Sequence, residues 1–181
     1  MEKSSISGRI WVLSDDKNRL IEDIDTDQIY HNALLHITEI SQMGQYALGN
    51  LEGWKDFSKK ARPGDIIVAG RNFGAGSSRQ HAVGCFISLK IGLILAPSFG
   101  AIYFRNAVNS GFPVLRCHVL DDLVAKKALE TGDEIKVNFR SGEGLNVTRN
   151  TQFKAEPMSA VQLDIYGADG LFNYGKRINK G

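Results

Sequence analysis

The chain has 181 residues, with 22 basic against 20 acidic side chains, 43% hydrophobic and 23% charged residues and a formal charge of +2. That length favours one domain over residues 1–181 with a well-filled core, the mix excludes disordered, collagen-like and coiled-coil classes, and the charge is too small to argue for nucleic acid or an anionic membrane as partner. Two cysteines, Cys85 and Cys117, exclude a disulfide framework and are too few for a zinc or iron-sulfur site built from this chain alone, so any metal chemistry has to borrow ligands from elsewhere.

In chain order, the start Met1-Glu2-Lys3-Ser4-Ser5 is followed by no long apolar region. No stretch approaches the roughly 20 apolar residues of a membrane helix, which predicts a cytoplasmic chain without a membrane segment. Ser7 to Leu13 reads as a first strand, followed by a polar segment through Asp27. Thr38 to Leu48 spaces Ile40, Met43, Tyr46 and Ala47 at helical intervals and predicts an amphipathic helix. Asp65 to Gly70 is a short apolar run bounded by turn residues, as a buried strand is. Ala82, Cys85, Phe86 and Leu89 then recur on one face of a helix predicted to end near Gly92, and Leu93 to Ala96 reads as the next strand.

Ser98 is placed to cap a helix running to Ser110, with Gly111 at the position where a left-handed residue ends one. Val114 to Cys117 reads as a strand, and Asp121 or Asp122 as the cap of a helix ending before Gly132. Glu134 to Phe139 and Leu145 to Arg149 predict a β-hairpin. Asn146-Val147-Thr148 matches a glycosylation acceptor pattern that carries no weight without secretion. Pro157 suits the first position of a short helix carrying Val161 and Ile165. Strands, β/α units and a hairpin together indicate a layered α/β domain with a mixed sheet.

The chain holds 19 glycines, against about 7% in an average protein, and Gly70, Gly74 and Gly76 crowd into one loop. That loop, Gly70-Arg71-Asn72-Phe73-Gly74-Ala75-Gly76-Ser77-Ser78-Arg79-Gln80-His81-Ala82, lies between a predicted buried strand and a predicted helix, where an anion site belongs. A P-loop is excluded because no lysine follows Gly76, a dinucleotide fingerprint because Arg79 replaces the third glycine, and a hydrolase elbow because Ser78-Arg79 follows Ser77. Two hydroxyls and a guanidinium remain at the mouth of a helix, where Arg79 can grip a carboxylate with parallel hydrogen bonds. The plain alternative is a capped helix, with serine as N-cap and Arg79 solvated in the first turn.

The full run resembles the Gly-x-Asn-Phe-Gly-x-Gly-Ser-Ser-Arg-x-His-Ala signature of the swivel domain of the aconitase superfamily, in the small-subunit group of isopropylmalate isomerases and homoaconitases. Asp25-Thr26-Asp27-Gln28-Ile29 resembles the family's Asp-Thr-Asp-x-Ile element, and Ser98-Phe99-Gly100-Ala101-Ile102-Tyr103-Phe104-Arg105-Asn106 its Ser-Phe-x-x-Ile-Phe-x-Arg-Asn segment. Asn109-Ser110-Gly111-Phe112-Pro113 fits its Asn-x-Gly-x-Pro turn. The resemblance covers most of the chain and implies a layered β/β/α swivelling domain of the aconitase C-terminal type.

It also implies roles. Ser77 takes the place of the catalytic base that removes the proton α to a carboxylate. Arg79 takes the carboxylate-binding place, with Ser78 and Gly76 beside the substrate. Asp27 matches an active-site acid, against the plain alternative of a capping or turn aspartate. The family's 4Fe-4S cluster is held by the large subunit, so this chain is expected to bind no metal, to supply half of an active site, and to pair with a cluster-bearing partner. The implied reaction is dehydration and rehydration of a small hydroxy diacid, with the hydroxyl moved.

Specificity in the family is associated with a loop after the Asp-Thr-Asp element, apolar in isopropylmalate-type members and carrying Arg in homoaconitase-type members. Here it reads Leu34-Leu35-His36-Ile37-Thr38, an apolar wall that favours isopropylmalate. Homoaconitase and dehydratases of methylated malates (citramalate, dimethylmalate) are the alternatives, and His36 is the complication. Gln80 stands where the family often has Glu, which leaves a non-enzymatic carboxylate-binding regulatory module as a competing class. His81 and Cys85 read as packing residues of the helix.

Overall fold

Along the chain the elements are β1 (Ser5–Val12), α1 (Thr26–Ile29), α2 (Ile40–Met43), α3 (Phe57–Lys60), β2 (Ile66–Val68), α4 (His81–Ser88), β3 (Leu93–Ala96), α5 (Ala101–Asn109), β4 (Val114–Arg116), α6 (Leu120–Ala125), β5 (Glu134–Asn138), β6 (Glu143–Asn146), β7 (Thr151–Lys154), α7 (Ala160–Gly167) and α8 (Leu171–Ile178). They come from a computed structural model that describes residues 4–179; Met1 to Lys3 of the start segment, and the last two residues of the 1–181 span, lie outside the described residues. Single turns of 3-10 helix add Asn32–Leu34 and Gly44–Tyr46.

The sheet runs β4-β3-β2-β1-β5-β6-β7. β1 serves both halves: Ile10, Trp11 and Val12 pair in parallel with Ile66, Ile67 and Val68, while Ser5 to Arg9 pair antiparallel with Asn138 to Glu134. β2, β3 and β4 continue in parallel, and β5, β6 and β7 form an antiparallel meander. The parallel strands are buried on both faces, which is why they read as continuous apolar runs. Ile67, Ile94 and Val114 face one core with Phe86 of α4 and Tyr103 of α5. Ile66, Val68, Leu93 and Leu95 face a second core with Ile135, Val137 and Phe153 of the curled meander and Leu120 of α6. The result is the layered β/β/α arrangement that the sequence leads one to expect.

Several elements differ from expectation for local reasons. The predicted helix over Thr38 to Leu48 divides into α2 and a 3-10 turn at Gly44, where an added Cβ would lie 2.8 Å from Ser88 Oγ of α4; Met43, Ala47 and Leu48 are buried while Ile40 is 49% exposed. Gly92 does not end α4. Lys90 takes the left-handed position (φ 57°), with Ile91 N–H donating to Phe86 O and Lys90 N–H to Ile87 O, a Schellman ending. α6 ends the same way on Lys127 (φ 55°), well before Gly132. Only α5 ends on its expected glycine, Gly111 (φ 67°).

Ser98 does not cap α5, because its Oγ accepts from Asn72 N–H at 2.9 Å and Gly100 holds the N-cap. Asp121 and Asp122 sit in the first turn of α6 behind Val119. Ser159, not Pro157, starts α7 through a capping box with Gln162; Ile165 is buried and Val161 is exposed. The hairpin's second strand is β6 at Glu143–Asn146 and not Leu145 to Arg149, because Val147 to Arg149 turn into a third strand, β7; α1, α3 and α8 form where no helix is expected.

One glycine ties the fold to the loop. Gly74 has φ 77°, and a Cβ there would lie 2.2 Å from the buried Tyr103 ring. Gly53, also left-handed (φ 80°), has nothing within 4 Å. Gly74→Ala is therefore expected to cost about 3 kcal/mol or more, from overpacking added to backbone strain, against about 1 kcal/mol for Gly53→Ala; urea denaturation midpoints compare the two.

Candidate active site

The glycine-rich loop is laced between two other segments by backbone hydrogen bonds. On one side Asp23 N–H donates to Arg71 O (2.9 Å), Gly74 N–H to Ile24 O (2.7 Å) and Thr26 N–H to Ala75 O (2.9 Å). On the other, Phe73 N–H donates to Ser98 O (3.1 Å) and Gly100 N–H to Phe73 O (2.9 Å). Phe73 is buried against the rings of Phe86, Phe99 and Tyr103, which fixes the loop to the core. Three segments far apart in sequence thereby lie edge to edge.

α1 owes its short helix to Asp25, whose carboxylate accepts from Gln28 N–H while the Gln28 amide oxygen accepts from Asp25 N–H. The capping aspartate is thus Asp25, which leaves Asp27 free to face the loop. Asp27 Oδ1 accepts from Asn32 N–H (2.8 Å) and Arg79 Nη1 (3.0 Å), and Oδ2 from Asn50 Nδ2 (3.0 Å). The Asn32 N–H above all, then the Arg79 guanidinium and the nearby His31, hold the Asp27 carboxyl below its ordinary range against the opposing effect of partial burial. Asp27 is a carboxylate at neutral pH, and it orients the half-buried Arg79.

Gly76 (φ 99°) turns the chain outward, and Ser77 and Ser78 are exposed beyond it. Ser77 Oγ lies 3.3 Å from Thr26 Oγ1, and Ser78 O accepts from Asn106 Nδ2 (3.4 Å). Neither serine caps α4: Gln80 holds the N-cap without a side-chain cap bond and donates instead to Ser110 Oγ (2.7 Å). His81 is a packing residue, with Nε2 3.0 Å from Ile37 O and its ring 5.4 Å from that of Tyr30.

The loop after α1 is held beside this group by the Asn32 and Ile37 contacts. Its apolar wall is thinner than expected: Leu34 and Ile37 pack against the core, and Leu35 is the apolar side chain of the three that stays exposed. His36 folds back, with Nδ1 3.1 Å from Ala33 O, and Thr38 is exposed. Thus Ser77, Arg79 and Asp27 converge, Ser78 and Gly76 flank them, and the loop borders them. Thr26, Asn32 and Asn50 belong to the constellation too. Thr26 lay inside a recognised motif; nothing in the sequence marked Asn50.

Cys85 and Cys117 are both buried, and burial raises both thiols, Cys117 to about 11. They are poor candidates for iron ligands, and among the described residues no group of three or more His, Cys, Asp or Glu is placed to hold a metal ion. No described helix is long and apolar enough to cross a membrane.

The layered sheet and the loop carried at the C-terminal end of its interior strand β2 define a domain of the aconitase C-terminal class, and the family model for the aconitase C-terminal domain matches residues 52–118. A 3-isopropylmalate dehydratase small subunit from Caldicellulosiruptor saccharolyticus is 36% identical over 88% of this chain and 88% of its own length. The isopropylmalate/citramalate isomerase small subunit of Methanocaldococcus jannaschii is 35% identical over 97% and 96%. The crystal structure of a 3-isopropylmalate dehydratase from M. jannaschii superposes with a TM-score of 0.83 at 29% identity, covering 97% of this chain and 96% of that one. The chain belongs to the family of 3-isopropylmalate dehydratase small subunits.

Because the folded pKa of Asp27 is depressed, its contribution to stability is full above the ordinary carboxylate pKa of about 3.9 and is lost as pH falls through the lower folded value. Carboxyl-carbon NMR titration should give Asp27 a midpoint below that of an ordinary aspartate, and Arg79→Ala should move that midpoint upward.

Proposed function

We propose that this chain is the small subunit of a 3-isopropylmalate dehydratase, a hydro-lyase active with its large subunit, and that residues 1–181 act as a single domain in the cytoplasm. The observation that carries this is the convergence of Ser77, Arg79 and Asp27 on one open surface, with Ser77 exposed to a substrate approaching from outside the chain. Such a surface suits half of an active site, completed by the partner.

Ser77, as alkoxide, takes the proton α to a substrate carboxylate: the C–H bond breaks, the O–H bond forms on Ser77, and the freed pair becomes the C=C bond as the hydroxyl departs. In the rehydration Ser77 returns its proton to one carbon of the double bond and hydroxide adds to the other, which moves the hydroxyl and regenerates the alkoxide. Arg79 has donors beyond the one engaged by Asp27, and these can hold the substrate carboxylate in place with Ser78 and Gly76 alongside. The buried thiols here support placing the 4Fe-4S cluster, the Lewis acid for the departing hydroxyl, in the large subunit. Leu35, with Thr38 and without a guanidinium in Leu34 to Thr38, favours an alkyl-bearing diacid over a tricarboxylate.

In enzyme reconstituted with its large subunit, Ser77→Ala should lower kcat about 10²- to 10⁴-fold. Arg79→Lys should chiefly raise KM, since a point charge cannot reproduce the forked contact. Isopropylmalate should be the preferred substrate in a panel with citramalate, dimethylmalate and homocitrate. Preference for homocitrate would overturn the substrate assignment, and near-normal turnover of Ser77→Ala the assignment of the base.

A further inference from the structure

A serine hydroxyl serves as a base only where something stabilises its alkoxide, because its proton is ordinarily held far above neutral pH. Ser77 is exposed on a loop that has just turned through a left-handed glycine, a poor place to hold one rotamer unaided. Its side-chain partner is Thr26 Oγ1, at 3.3 Å.

Thr26 is built for rigidity. It is buried, 3% exposed, so its hydroxyl is not free to turn to bulk water. Its N–H is bonded to Ala75 O in the serine's own loop (2.9 Å), its carbonyl accepts from Tyr30 N–H (3.0 Å), and the Asp25–Gln28 capping box sets the turn that carries it. As a β-branched residue it has few side-chain rotamers to choose from. Gly76 supplies the left-handed backbone (φ 99°) that brings the loop against the threonine; a Cβ there would make only ordinary van der Waals contact with Thr26 Oγ1 (3.5 Å), so the backbone and not the space calls for glycine.

We infer that Thr26 is the positioning residue of the serine base, its buried hydroxyl donating to Ser77 Oγ and stabilising the alkoxide. The proton account is simple. The substrate C–H proton ends on Ser77 Oγ, Thr26 keeps its own proton throughout, and the hydrogen bond weakens as Ser77 becomes neutral. Thr26 touches Ser77 rather than substrate, so it is not a catalytic residue. The inference rests on Ser77 being the base. The charged and titratable groups on the surrounding elements are Asp23 and Asp25 before α1, Asp27 of α1, His31 just after it, Arg71 and Arg79 of the loop and His81 of α4, and every variant below retains them.

The test uses the assembled two-subunit enzyme with Thr26→Val, Thr26→Ser and Ser77→Ala. Thr26→Val should lower kcat about 10- to 100-fold, as expected for losing a hydrogen bond to an ionised group, with KM within about twofold of the parent. The rising limb of its kcat–pH profile should move to higher pH, because the alkoxide has lost a donor. Thr26→Ser should restore both rate and profile. A Thr26→Val enzyme with parental kcat and an unmoved profile, alongside inactive Ser77→Ala, would overturn the role of Thr26 while leaving the base intact. Active Ser77→Ala would overturn the base reading itself and this inference with it. Should Thr26→Val fail to fold, Thr26→Ala against Thr26→Ser decides: a rate and profile defect in the alanine form alone supports the inference, and equal behaviour overturns it.

Discussion

The structure depends on the backbone lacing of Phe73, Gly74 and Ala75 between Ile24 to Thr26 on one side and Ser98 to Gly100 on the other. Main-chain hydrogen bonds set the register of all three segments, so each side chain they carry arrives at a defined place. The Phe73 ring points into the aromatic core and Gly74 passes directly over Tyr103, which anchors the inner side of the loop. The outer side can then hold exposed serines without the loop collapsing. Rigid backing and an exposed tip are what a site shared with a partner requires.

Asp27 is the electrostatic centre of that arrangement. A carboxylate with donors on both oxygens has little freedom to rotate, and it transmits that restriction to Arg79. The donors come from different parts of the chain: the turn after α1, the segment at Asn50 and the glycine-rich loop. Folding of the whole α1-side surface is therefore coupled to the orientation of one guanidinium. Gln80, which stands where a glutamate is common in the resembling family, is occupied with Ser110 at the end of α5. Its neutral amide does structural service there, and the guanidinium of Arg79 is already paired elsewhere.

The burial pattern explains what the two cysteines do in this chain. Cys85 lies on the buried face of α4 and Cys117 just beyond β4, each filling apolar space in a different core. Burial raises their proton affinity and keeps them as packing groups. The parallel strands lie between the two cores, and β1 joins the parallel and antiparallel halves of the sheet.

The parallel strands, α4, α5 and the meander's first hairpin were legible because their signals are local: apolar runs, a helical apolar stripe, turn residues at fixed spacing. The Ser77, Arg79 and Asp27 constellation was legible through motifs that keep order and spacing. Local signals failed where a neighbour decides conformation, as when Gly44 meets α4 and shortens a helix, or when Lys90 and Lys127 accept left-handed backbones that glycine would have taken more easily. What the sequence determined by itself is which residues are chemically equipped, a serine and an arginine beyond a glycine turn and an aspartate after a capped one. What only the tertiary structure decided is who holds them: Thr26 against Ser77, Asn50 and Asn32 on Asp27, Leu34 and Ile37 turned into the core. Those partners are chosen by the lateral register of segments distant in the chain, and register is set by backbone hydrogen bonds and core packing that no short stretch of sequence contains.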